Sequence, residues 1–220
     1  MKKRIICSII VIVFIVLAAT VVGYATIDKS PEQNKVQVEQ NLPTPEPKPE
    51  PKVVVEPPTK EELEAKHLDK CAREYPTATK IWRYMRYELG WNNYVCAGVM
   101  GNMMAECGGQ TFALDPTLYD AATGSYYGIC QWSSKWNPDV IGTGVDFQLK
   151  YIKSTVESEF KTFGYLYSSG FTYEDFKNLQ DPEEAALAFA AVYERCSSRT
   201  YYIREENALK AYDYFVLYSN

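Results

Sequence analysis

A general acid that works near neutral pH needs a carboxyl whose pKa has been lifted, and removing that carboxyl from water lifts it. Glu106 is placed for this. It closes the run VCAGVMGNMMAE at residues 95–106, in which Val95, Val99, Met100, Met103 and Met104 leave few polar positions, and Gly108 and Gly109 end the run. The pattern predicts a helix buried on nearly every side with a carboxylate on its last turn, where the negative end of the helix dipole adds to the effect of burial. Gly98 and Gly101 weaken helix propensity, which points to close packing against another backbone. The alternative is a helix-terminal Glu that turns to solvent.

The rest of the side-chain inventory narrows the chemistry. The chain has one histidine, His67, in a strongly charged segment that reads as surface. Zinc amidases and peptidases need two or three His ligands, so no metal or other cofactor is expected. A Cys–His pair or a Ser–His–Asp triad is disfavoured, because His67 precedes Cys71, Cys96, Cys107, Cys130 and Cys196 and lies far from the central run. If the chain is an extracellular hydrolase, carboxylates carry the reaction, and that points to a glycosidase.

Two further stretches complete a pattern. FALDP at residues 112–116 and YGICQW at residues 127–132 follow the central run, with Gln131 placed 25 residues after Glu106. Together with AGVMGNMMAE they resemble the phage-tail lysozyme family and, more distantly, the lytic transglycosylases and goose-type lysozymes. The resemblance runs over residues 81–215 and continues weakly into AFAAVYER at 188–195. It implies a lysozyme-like helical domain in which Glu106 is catalytic and faces the Gly-x-x-Gln turn Gly128–Gln131 across a glycan cleft. Gln131, Tyr127, Trp132 and Tyr193 would bind the sugar. Cys107 stands where the family more usually has Ser, and Cys130 lies inside the turn. In that arrangement the two thiols face each other, so a Cys107–Cys130 disulfide would brace the site, Cys71–Cys196 would tie the first helix to the last, and Cys96 would be a free apolar filler. Tyr126, Tyr127, Trp132 and Trp136 cluster at the turn, either to stack on sugar faces or simply as core. Asp115 and Asp120 are the nearest second carboxylates in sequence. With one of them positioned, water would be the acceptor; with neither, Glu106 would act toward the muramic C6 hydroxyl and give an anhydro product.

These residues must be positioned by a domain that the periodicity reads as mainly α. Thr59 and Glu62 form a capping box. Ile81, Tyr84, Met85 and Leu89 share a helix face stopped by Gly90, and Asn92 or Asn93 can cap the central helix. Residues 107–144 hold six glycines, two prolines and no helical period, which predicts loops and a small β-hairpin. Val145, Leu149, Ile152, Val156 and Phe160 form a helical stripe, Asp181 and Pro182 start a helix that is apolar from Ala185 to Tyr193, and Ala208, Ala211, Tyr212 and Phe215 mark a last one.

Ahead of this domain, at 59–220, lie two other segments. Residues 1–27 carry a basic start and an apolar run from Ile5 to Val22, read as an uncleaved transmembrane signal-anchor in preference to a cleaved signal peptide. Residues 28–58 are Pro-rich, and their polyproline II tendency of about 3.1 Å per residue would span about 90 Å. The expected location is the bacterial cell membrane, single-pass, with the domain outside. The domain has 16 Lys and Arg against 22 Asp and Glu, with no basic stripe, which argues against nucleic acid. The expected partners are peptidoglycan glycan strands, the membrane through the N-terminal helix, and wall-spanning secretion or conjugation machinery. The expected function is cleavage between N-acetylmuramic acid and N-acetylglucosamine by a muramidase or lytic transglycosylase. The competing reading is a non-catalytic wall-binding or structural module.

Overall fold

The helix that ends in Glu106 is the axis around which the other elements pack. The structure, a computed structural model, describes residues 57–120 and 123–216. The helices are α1 (Lys60–Glu74), α2 (Pro76–Arg83), α3 (Asn93–Cys107), α4 (Val145–Phe163), α5 (Tyr173–Lys177), α6 (Pro182–Phe189) and α7 (Tyr201–Phe215). A two-residue antiparallel hairpin, β1 (Tyr126–Tyr127) and β2 (Trp132–Ser133), pairs Tyr127 with Trp132. A mainly helical domain with one small β excursion is therefore what the chain forms. The signal-anchor at 1–27 and nearly all of the segment at 28–58 lie outside the described residues; among those described, no helix is long and apolar enough to cross a membrane.

α3 is buried without a break from Val95 to Met104, because α6 and α7 close on it from two sides. Its glycines allow the approach. A Cβ on Gly98 would sit 2.5 Å from the Ala186 nitrogen, and one on Gly101 would sit 2.6 Å from both the Arg204 carbonyl and the Ala208 nitrogen. Asn102, fully buried, donates to the carbonyls of Gly98 and Ala186 at 2.9 and 3.0 Å, so its amide nitrogen is paired with backbone as burial demands. The start of α3 is fixed by Asn92, whose side chain accepts from the Val95 amide at 3.0 Å.

The outer elements follow their sequence signals. Thr59 and Glu62 make the reciprocal capping box of α1. Gly90, at φ +68°, ends the π-helical turn Tyr84–Glu88 that continues α2. Leu149, Ile152, Val156 and Phe160 are the buried stripe of α4. α5 was not expected, although Thr172 and Asp175 form its capping box.

Two expectations are overturned. His67 is not a surface residue: its Nε2 lies 2.8 Å from the Tyr214 carbonyl and 3.6 Å from Cys71 Sγ, which ties α1 to the end of α7. The disulfides are absent, since Cys71, Cys96, Cys107, Cys130 and Cys196 are all free thiols. Each of Cys71 and Cys196 meets a different neighbour, the Tyr214 carbonyl at 3.9 Å and the Thr200 hydroxyl at 4.0 Å. Burial pushes the Cys71 thiol up rather than down, so its contact with His67 is packing and not an activated nucleophile.

Candidate active site

Three charged side chains from three elements meet at the C-terminal end of α3. Glu106 is only 20% exposed and its Oε1 pairs with Nη2 of Arg204. The same nitrogen lies 3.2 Å from Oε2 of Glu194, whose side chain is 3% exposed. Arg204 stands on the buried face of α7, one turn before Ala208. Glu194 is delivered by a π-helical turn, Ala190–Glu194, that continues α6 and ends at Arg195 with φ +52°. Single π turns and left-handed non-glycine residues are costly local conformations that gather at functional sites.

The electrostatics follow from burial. Loss of water raises the pKa of Glu106, while Arg204 pulls it back down. Glu194 is pushed well above the carboxylate range, first by burial and then by the charge of Glu106. Burial disfavours the charge on Arg204, yet the two carboxylates outweigh it and hold the guanidinium protonated. Cys107 and Cys130 adjoin the cluster; burial raises the first thiol to about 12 and the second well above its usual value, so both are neutral, and they dry the site.

Opposite lies the Gly128–Gln131 turn between β1 and β2. Gly128 takes φ +81°, and a Cβ there would strike the Gln148 side chain at 2.6 Å. Gln148, fully buried on α4, fixes the turn: its Oε1 accepts from the Ile129 amide at 3.0 Å, and its Nε2 donates to the carbonyls of Pro116 and Thr143 at 2.8 and 2.9 Å. Gln131 itself has φ +44°, and its Nε2 donates to the carbonyls of Gly128 and Leu118 at 2.9 and 3.2 Å.

These walls enclose a cavity of about 450 Å³ lined by Glu106, Glu194, Gln131, Asp120 and Tyr126, among others. A second cavity of about 190 Å³ shares Gln131 and Glu194 with it and adds Trp132, Trp136 and Tyr193. Glu106 and Gln131 are thus brought together, with Trp132 and Tyr193 beside them. Tyr193 is largely committed to packing, stacked on Phe189 at 4.7 Å with its hydroxyl 2.9 Å from that of Thr155. Tyr127 lines neither cavity, and its hydroxyl donates to the Thr143 carbonyl at 2.8 Å. Its neighbour Tyr126 lines both, because adjacent strand residues point to opposite faces. Trp136, 73% exposed, stands at the rim with Lys135 Nζ 4.6 Å from the centre of its ring.

Of the two candidate second carboxylates, Asp120 shares the cavity with Glu106. Asp115 does not line it and instead caps a turn, accepting from the amide and hydroxyl of Thr117 at 2.8 and 2.7 Å. A larger cavity of about 640 Å³ lies between α4 and α5, around Phe160 and Tyr173, and contains neither Glu106 nor Glu194. Among the described residues, no group of three or more His, Cys, Asp or Glu is arranged to hold a metal ion.

Glu194 and Arg204 were the residues missed, and both left a signal. Glu194 ends an apolar helix in the same way as Glu106, and Arg204 is the one charged position on the Ala208–Ala211–Phe215 face. Comparison with known families finds that the phage tail lysozyme family matches residues 76–215, which takes in α2 through α7 and every residue of the cluster. No curated protein and no solved structure matches the chain.

Proposed function

Because the chain belongs to the phage tail lysozyme family, we propose that it is a lysozyme-like peptidoglycan hydrolase that cuts the glycan between N-acetylmuramic acid and N-acetylglucosamine, with Glu106 as general acid. The observation that carries this reading is a largely buried carboxyl at the end of α3 sharing a cavity with Gln131. Burial favours the protonated form of such an acid, which gives its proton to the leaving glycosidic oxygen as the sugar becomes oxocarbenium-like. Gln131, held rigid by its own turn, positions the sugar, and Trp132, Tyr126 and Trp136 supply faces for it to stack on.

Glu106 and Glu194 reach the same arginine nitrogen, so they approach the sugar from one side. We therefore read them as one acid unit and not as the two carboxyls that flank a scissile bond in glycosidases. We assign that second role to Asp120, which lines the same cavity and would direct water to the anomeric carbon. Hydrolysis, rather than internal attack by the C6 hydroxyl, is the outcome this assignment favours. The apolar run at 5–22 and the Pro-rich segment after it are proposed as the tether that holds the domain at the wall.

Digestion of purified peptidoglycan with the full-length protein, followed by mass analysis of the fragments, tests the reading. Reducing muramic ends are expected. Anhydro ends would reassign the reaction to a lytic transglycosylase, and intact strands would leave a binding module.

A further inference from the structure

Glu194 is a carboxylate that the mechanism above does not use. It lines the cavity with both of its oxygens shut off from solvent, and the cation it meets is Arg204, whose Nη2 lies 3.2 Å from Oε2. What faces it is sparse. Glu106 comes from α3 and Arg204 from α7; Cys107, Cys130 and Cys196 surround it as neutral thiols; Arg195 and Asp120 stand on the cavity wall. One guanidinium therefore serves two buried carboxylates. With both ionised the cluster carries an uncompensated negative charge in a dry setting, and like-charged carboxyls in contact do not ionise together. The pair holds one proton.

Resting on the glycosidase reading, we propose that Glu194 is a positioning residue for proton transfer: clamped with Glu106 on Arg204, it shares a single proton with Glu106 and keeps that carboxyl supplied as the acid. Before the reaction the proton resides mainly on Glu194, the drier member, and Arg204 holds the Glu106 carboxylate. As the glycosidic C–O bond breaks, that single proton moves from Glu194 to Glu106 and from Glu106 to the leaving oxygen. The pair is then fully ionised, with Arg204 and the oxocarbenium-like sugar as its only positive neighbours. Water adds to the anomeric carbon and releases one proton, which returns to the pair. No oxidant, metal or further reactant is needed.

The consequence is a pH profile set by two residues. In Glu194→Gln the stored proton is gone, and Glu106, whose carboxylate Arg204 favours, must take its proton from solvent, which it does only at lower pH. The alkaline limb of peptidoglycan cleavage by the full-length protein should move to lower pH by about one unit or more, and Glu194→Asp should restore most of that displacement. A Glu194→Gln variant that is slower at every pH with its limb unmoved would overturn the proposal. Infrared difference spectroscopy needs no activity. The wild-type protein should show a protonated-carboxyl band at neutral pH that is lost in Glu194→Gln. If that variant does not fold, absence of the band from wild-type protein overturns the proposal by itself. Wild-type protein that leaves peptidoglycan intact would fail the glycosidase reading alone, and the infrared result would still judge the shared proton.

Discussion

Replacing Gly101 by Ala should separate two of the elements that build the site. The added methyl would lie 2.6 Å from the Arg204 carbonyl and the Ala208 nitrogen and 2.9 Å from the Ala208 Cα, all on α7. Ordinary contact begins at 3.4 Å, so α7 must retreat by about 0.8 Å, and backbone cannot rotate aside as a side chain can. Overpacking of this kind costs about 1–3 kcal/mol, and three backbone contacts place it near the upper end. Better helix propensity returns about 1 kcal/mol, leaving a net loss of about 2 kcal/mol. For a domain of this size the melting temperature should fall by about 4–8 °C. Activity should fall further than stability, because the retreat carries Arg204 away from Glu106 and a misplacement of about 1 Å can cost about a hundredfold. Circular dichroism melting and peptidoglycan turnover on the same preparation would measure both. Gly144→Ala is the control, since a Cβ there meets nothing within 4 Å and φ is −88°. A Gly101→Ala protein that melts with wild type would refute the packing on which the site geometry depends.

Gln148→Leu should keep the volume but strip the hydrogen bond to the Ile129 amide in the Gly128–Gln131 turn and those to the flanking Pro116 and Thr143 carbonyls, so cleavage should drop about tenfold or more while α4 stays helical, read by turnover and far-ultraviolet circular dichroism. With all five domain thiols free, a reducing agent should leave the melting temperature unchanged, and a maleimide should label the half-buried Cys196 well before the buried Cys96, Cys107 and Cys130 in native protein, as peptide mass mapping would show. The raised pKa values of Glu106 and Glu194 mean that the folded chain keeps a proton the unfolded chain releases. Their contribution to stability is therefore greatest below the ordinary carboxylate range near 4.5 and declines as pH rises through the folded values. Urea midpoints measured from pH 4 upward (about one point per pH unit) should show a decline in wild type that is flatter in Glu194→Gln.

What the sequence made legible was local. A carboxylate at the end of an all-apolar helix, glycines that invite a second backbone, and a capping Asn beside Pro- and Gly-marked boundaries all act over a few residues, and α3 with Glu106 follows from them. The same logic applies to the apolar stretch ending at Tyr193, which Glu194 follows as Glu106 follows the run in α3. Arg204 reads as an interruption in an apolar face, and only the approach of α3 reveals what it pairs with. Tyr126 and Tyr127 could not be told apart without knowing which strand face meets the cavity. The cysteine pairing failed for a related reason: thiols on facing elements are not thereby within bonding distance. Gln148 anchors a turn that ends 17 residues earlier in the chain, and no local pattern announces such a contact.

The most direct test of the central claim is peptidoglycan cleavage by full-length Glu106→Gln. Glutamine keeps the shape of the side chain and still accepts a hydrogen bond from Arg204, but it has no proton to give. Cleavage should fall by about two orders of magnitude or more while the melting temperature stays within a few degrees of wild type. A folded Glu106→Gln protein that releases muramic fragments at the wild-type rate would contradict it.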